Sequence, residues 1–225
     1  MKRIKALAVI GCAVLCAAGR VNADTTVTVD PGAPWIGFMN VFNLPSAGGA
    51  YQFGSAWGTA DLVATFSGPV LTLAPNTIGD PAPYWYTPSG MPGATGNKIM
   101  DASMYVEPAT GSLAGQLVTF TGSVLSNTLL PSHTSVAFIK DFAPDYSSSV
   151  SVTAPLTPGV FNISLAANPD PLRHVQYGFE TIGPDVWITD VGPYGSVQVT
   201  AIPEPVVLTM AGIAAICLAA CRRRR

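Results

Sequence analysis

Between Asp24 and Ala201 apolar and polar positions alternate in short runs, and no amphipathic stretch at helical period exceeds two turns. Alternation with period two is how half-buried strands read. It predicts about ten of them: TTVTV from Thr25, DLVATFSG from Asp61, SMYVE from Ser103, QLVTFTGSVLS from Gln116 and TSVAFIKDF from Thr134. SSVSVTA from Ser148, VFNISLA from Val160, HVQYGFETI from His174, DVWITDV from Asp185 and SVQVTA from Ser196 complete the series. Turn chemistry separates them, as at Ala143-Pro144-Asp145, Thr157-Pro158-Gly159 and the Asn-Pro-Asp-Pro run from Asn168. The stretch Trp35–Tyr86 differs: it carries ten of the twenty aromatics and few clear strands, and reads as long excursions packed on the regular part. Together these features predict one all-β domain over 24–201, an antiparallel β-sandwich or jelly roll.

Both ends break the pattern. At the start, Lys2, Arg3 and Lys5 precede an apolar run that ends in Val21-Asn22-Ala23, the layout of a secretory signal peptide over 1–23 cut after Ala23. Ile4 to Ala18 is too short to span a bilayer, which needs ~20 residues. Val9-Ile10-Gly11-Cys12 also loosely fits a lipoprotein signal. The chain closes with Ile202, then Pro203-Glu204-Pro205, sixteen mostly apolar residues from Val206 to Cys221, and Arg222, Arg223, Arg224 and Arg225. The expected architecture is therefore a sandwich flanked by a signal-peptide helix and a C-terminal apolar helix over 202–225.

Setting the ends aside changes the charge. Only Lys98, Lys140 and Arg173 remain between residues 24 and 201, against twelve acids, for a net charge of −9. Such a domain is repelled by nucleic acid and anionic lipid, which removes both as partners of the folded part. All four cysteines, Cys12, Cys16, Cys217 and Cys221, fall in the terminal segments, so the exported part has no thiol or zinc-cysteine chemistry.

The tail's order of triplet, apolar segment and terminal arginines resembles the PEP-CTERM sorting signal of exopolysaccharide-producing bacteria. The resemblance implies that Pro203, Glu204 and Pro205 are recognised by exosortase, a membrane protease-transpeptidase. It makes 206–221 a transient membrane segment and Arg222 to Arg225 its cytoplasmic stop. A permanent tail anchor would have the same orientation, with the basic end inside. By the same resemblance the chain is first cut by signal peptidase, held briefly at the inner membrane, and delivered to the cell surface or extracellular matrix. From Gly96 to Ala201 the layout is also similar to uncharacterised, carbohydrate-binding-module-like jelly rolls carried on such tails, a likeness that transfers no catalytic residue.

Candidate chemistry in the middle is sparse. His133 and His174 are the two histidines, no G-x-S-x-G, H-E-x-x-H or phosphate loop is present, and each histidine reads as a surface or strand-end residue. Glycoside hydrolysis requires two carboxylates at a set separation, and turn-stabilising roles account for most of the acids first. Sugars pack on aromatic faces, so Tyr84, Trp85 and Tyr86 in the Pro-rich DPAPYWYTPSG loop, with Trp57, are the candidate glycan surface. In an extended segment Tyr84 and Tyr86 would share one side and Trp85 the other. The competing role for Trp35, Trp57 and Trp85 is to anchor long loops to the core. No cofactor is expected; a structural Ca²⁺ would draw on Asp24, Asp30, Asp61, Asp80 or Asp101. The leading expectation is an exported, non-enzymatic surface or matrix protein. A glycan-binding module with exopolysaccharide as partner is the alternative, and a carbohydrate-active enzyme the more distant one.

Overall fold

The computed structural model describes residues 24–202. The signal peptide, Pro203, Glu204, Pro205, the 206–221 segment and Arg222 to Arg225 lie outside the described residues. Among those described, no helix is long and apolar enough to cross a membrane. The fold is all-β and sandwich-like. Its strands are β1 (Asp24–Thr28), β2 (Ile36–Asn43), β3 (Tyr51–Trp57), β4 (Ala64–Ser67), β5 (Val70–Leu73), β6 (Tyr86–Thr87) and β7 (Thr95–Gly96). They continue as β8 (Lys98–Val106), β9 (Leu117–Asn127), β10 (Thr134–Phe142), β11 (Ser149–Pro155), β12 (Gly159–Ala166), β13 (His174–Pro184) and β14 (Val197–Thr200).

Two six-stranded sheets carry the structure. In the first, β9 is the hub. β12 pairs antiparallel with its Leu117–Val124 span, while β1 pairs parallel with Leu117–Thr121 and β14 antiparallel with the far end of the strand. Since β12 occupies one edge of β9, β1 and β14 share the other end to end, and β5 and β4 follow β14. The β1–β9 pair departs from the all-antiparallel expectation. The second sheet is antiparallel throughout, in the order β11-β10-β13-β8-β2-β3. β6 and β7 form a small separate ribbon.

The inner faces meet through aromatic side chains. Phe120 on β9 lies 5.3 Å, centroid to centroid, from Phe179 on β13, and Phe161 on β12 approaches both rings. Phe120 and Phe179 are buried, as are Met39, Val41, Met100, Ile139 and Val199 around them. Each such side chain contributes roughly 1.5–3 kcal/mol on burial, so this shared layer is what joins the sheets. Trp35 stacks on Phe179 at 6.1 Å and closes one end of the layer.

The reading of Trp35–Tyr86 as loop excursions is corrected by β2, β3 and β5, while β4 falls within the predicted DLVATFSG run. In IGFMNVFN, Gly37, Met39 and Val41 are buried while Phe38, Asn40 and Phe42 on the other face are only partly covered. With aromatic residues on the outward side as well, the run shows little polar contrast, and period two is masked. DVWITDV fails in the opposite sense. It alternates in sequence, yet only Val186 makes a bridge, to Thr77, and the segment then turns at Trp187–Asp190.

Candidate functional site

The outer face of the second sheet carries a cluster of polar and charged side chains. Along β8, Asp101, Ser103 and Tyr105 point outward, and Glu107 follows just past the strand end. Their neighbours in register are Asn40 and Phe38 on β2 and Glu180, Gly178 and Gln176 on β13; Lys140 on β10 pairs with Gln176. Over this face lies a cleft of about 490 Å³. Phe38, Tyr105, Phe142 and Tyr146 give it aromatic walls, and Asn40, Ser103, Glu107, Lys140 and Gln176 supply polar groups.

The sheet itself makes room for this. Gly178 sits between Tyr105 and Phe138 in register, and a Cβ there would fall 2.1 Å from the Met104 carbonyl oxygen. Free of that atom, the Tyr105 and Phe138 rings approach to 6.5 Å, and Phe138 is fully buried even though it points outward. Its ring also lies beneath the Lys140 ammonium at 4.3 Å.

Two hydrogen-bonded groups border the cleft. In one, Glu107 accepts from the Tyr146 hydroxyl at 2.7 Å, from His174 Nδ1 at 3.0 Å and from Gln176 Nε2 at 2.6 Å. In the other, Lys140 Nζ donates to Glu180 at 2.9 Å, and Asp101 lies diagonally beside Glu180. Burial and the adjoining Glu180 push the Asp101 carboxyl up to about 7, with the Lys140 charge and the Asn40 amide opposing. Asn40 Nδ2 reaches Asp101 Oδ2 at only 3.5 Å, and Asp101 Oδ1 is buried without a partner.

Tyr146 holds its place at a conformational cost. It follows the Ala143-Pro144-Asp145 turn with φ at +58°, a left-handed backbone that disfavours a side chain by about 1–2 kcal/mol. Its ring stacks on His174 at 4.4 Å and 23°, its hydroxyl is fixed by Glu107, and it remains exposed. A non-glycine residue kept in this region next to a cleft is the kind of strain found at binding sites.

The aromatic residues singled out in sequence are dispersed. The chain turns at Ala82–Trp85, with Trp85 N–H donating to Ala82 O, so the extended alternation does not form. Tyr84 is exposed under the Lys98 ammonium at 4.0 Å, and Trp85 is half-buried between Tyr84 and Phe53. Tyr86 is fully buried. Its hydroxyl accepts from Ile78 N–H and lies within hydrogen-bond reach of the Ile78 and Val186 carbonyls, and burial pushes its pKa up to about 12. This ring anchors the core rather than presenting a stacking face. Trp57 is partly buried with its N–H on Ser55, and with Asp61 it borders an open depression of about 660 Å³. That depression is larger than the cleft but has only Asp61 and Thr77 as polar side chains.

The candidate calcium ligands stand apart. Asp30 accepts from Gly32 N–H and Asp80 from Ala82 N–H, each closing its own turn. Asp24 pairs with Leu117 at the sheet edge, Asp61 lines the same depression as Trp57, and Asp101 pairs with Asn40 on β2. Among the described residues no three His, Cys, Asp or Glu side chains are grouped to hold a metal ion.

Of the histidines, His174 opens β13 as expected. His133, expected at the surface, is buried instead. Its Nε2 donates to Pro184 O at 2.9 Å, burial lowers its pKa, and Gly183 leaves the space its ring fills. The residues that sequence reasoning missed, Phe38, Tyr105, Glu107, Lys140, Phe142, Tyr146 and Gln176, had one usable signal. Most occupy the outward positions of neighbouring strands, but strand order was needed to bring them together. No protein family model, curated protein or solved structure matches this chain.

Proposed function

We propose that this is an exported, non-enzymatic protein of the cell surface or extracellular matrix that holds a glycan in the cleft of its second sheet. The observation that carries the reading is the combination of four aromatic walls with a polar floor in one cleft. Pyranose faces pack on such rings while amides and hydroxyls bond the sugar oxygens. The export part rests on sequence: the basic, apolar and small-residue order of 1–23, and the PEP-CTERM-like tail with its implied exosortase processing. We read the sandwich as jelly-roll-like, with support from a chain that crosses repeatedly between the sheets.

The carboxyl arrangement favours binding over hydrolysis. Glu107 is the one carboxylate lining the cleft, whereas glycoside hydrolysis uses two that bracket a bond. Glu107 is occupied by three donors. Mass spectrometry of envelope and matrix fractions tests the location: peptides ending near Pro205 are expected, and peptides running intact from Ala201 into Arg222 would refute tail removal. A glycan array tests the binding, and a blank array for the folded 24–201 domain would remove it.

A further inference from the structure

We infer that the cleft selects an uncharged pyranose chain and rejects uronates, and that the Lys140–Glu180 pair sets this selection; the inference rests on the glycan reading above. Lys98, Lys140 and Arg173 are the only cationic Lys or Arg side chains among the described residues. Lys140 alone lines the cleft, and Glu180 already neutralises it at 2.9 Å. Arg173 is bound to Asp141, and the Lys98 ammonium lies over Tyr84 and donates to Asn43. A uronate entering the cleft would be desolvated beside Glu107 with no free cation to receive it, which is costly.

An amino sugar fares little better. Its ammonium would need a carboxylate, and both Glu107 oxygens already accept bonds from Tyr146, His174 and Gln176. What remains suits hydroxyls. Ser103 is 7 % exposed, lines the cleft and enters none of the side-chain hydrogen bonds, and the Asn40 amide has only its 3.5 Å contact. The Lys140 ammonium keeps further protons for a neutral oxygen.

The shape extends this to a chain rather than a single ring. The walls run from Phe38 on β2 across β8 and β13 to Phe142 on β10, four neighbouring strands. Three strand spacings of ~4.8 Å make about 14 Å, longer than one pyranose.

Isothermal titration of the 24–201 domain with cellohexaose, laminarihexaose and mannohexaose, against oligogalacturonate and a chitosan hexamer, tests the inference. At least one neutral chain should bind about tenfold or more tighter than either charged one, a difference of about 1.4 kcal/mol. Tyr146→Ala should weaken neutral binding about tenfold, and Tyr146→Gly, which suits the left-handed backbone, should repeat the loss. Glu180→Gln combined with Asp101→Asn, so that the neighbouring Asp101 does not replace the lost charge, leaves Lys140 without its carboxylate partner and should raise oligogalacturonate affinity about tenfold relative to the neutral chain. Equal or tighter binding of either charged chain by the wild type overturns the selection, and an unchanged ratio in the Glu180→Gln, Asp101→Asn double variant overturns the role of the pair. Loss of neutral binding without any change in selectivity is the pattern expected of Tyr146 alone. Binding to none of the glycans overturns the underlying glycan reading instead.

Discussion

Asp101 and Glu180 lie side by side as diagonal neighbours on β8 and β13, two carboxyls on the outer face of a sheet with Lys140, bonded to Glu180, as the cation beside them. Burial and Glu180 hold the Asp101 carboxyl at about 7, above its ordinary 3.8. The folded protein therefore keeps a proton that the unfolded chain has lost between about pH 4 and 7. Stability falls as pH rises through that window, and the cost is fully present above it. Thermal melts of the 24–201 domain should show a lower midpoint at pH 8 than at pH 5. Asp101→Asn should flatten this slope and gain on the order of 1–2 kcal/mol at pH 8. A variant with the wild-type slope would refute the assignment.

Asp185 acts similarly from a different place. It is 1 % exposed, one oxygen accepts Lys98 N–H at 2.9 Å and the other is buried without a partner. Burial raises its pKa to about 6, so its contribution to stability declines between about pH 4 and 6. In the Asp101→Asn background this narrower, more acidic dependence should remain. Combining Asp101→Asn with Asp185→Asn should remove it, as read from melts taken at half-unit pH steps.

Tyr86→Phe probes the core anchor. The missing hydroxyl leaves Ile78 N–H without an acceptor in a buried setting, a loss of about 1–3 kcal/mol in urea unfolding. Since Tyr86 is remote from the cleft walls, glycan affinity should be unchanged. A change in affinity at constant stability would place Tyr86 in the site after all.

These positions show what sequence could and could not convey. β10 was legible to the residue, because TSVAFIKDF is a run of β-branched and aromatic residues closed by Pro-containing turns at Pro131 and Pro144. β2 was not, because its solvent side carries Phe38, which lines the cleft, and Phe42, which packs on Tyr51. Tyr84, Trp85 and Tyr86 are consecutive, so sequence invited a shared surface. The turn at Ala82 sends them instead to solvent, to a half-buried ridge and into the core. Glu107, Gln176 and Tyr146 are separated by up to 69 positions and converge only through the β8–β13–β10 order. Nothing local in the sequence marks that adjacency.

Arg173 and Asp141 tie the segment before β13 to β10. Arg173 Nε donates to Asp141 Oδ1 at 2.8 Å and Nη2 to the Asp141 carbonyl, while Asp141 Oδ2 receives Asn168 N–H. Asp141 is 2 % exposed, so removing its cation strands a buried charge. Arg173→Ala should cost about 3–5 kcal/mol in urea unfolding. Arg173→Lys restores the charge but not the paired donor geometry, and should recover only part of the loss.

Tyr146 gives a prediction opposite to ordinary helix and strand experience, where alanine is the safer replacement and glycine the more damaging one. At φ +58° an alanine keeps the Cβ that makes the left-handed region unfavourable, whereas glycine removes it. Both substitutions lose the His174 stack and the bond to Glu107. The two variants therefore differ almost entirely in backbone strain, and Tyr146→Gly should be more stable than Tyr146→Ala by about 1 kcal/mol. Urea unfolding of the pair measures this directly. Equal stabilities, or a more stable alanine variant, would mean that the turn relaxes once the ring is gone, and that Tyr146 is held in position by its contacts with His174 and Glu107 rather than by the hairpin.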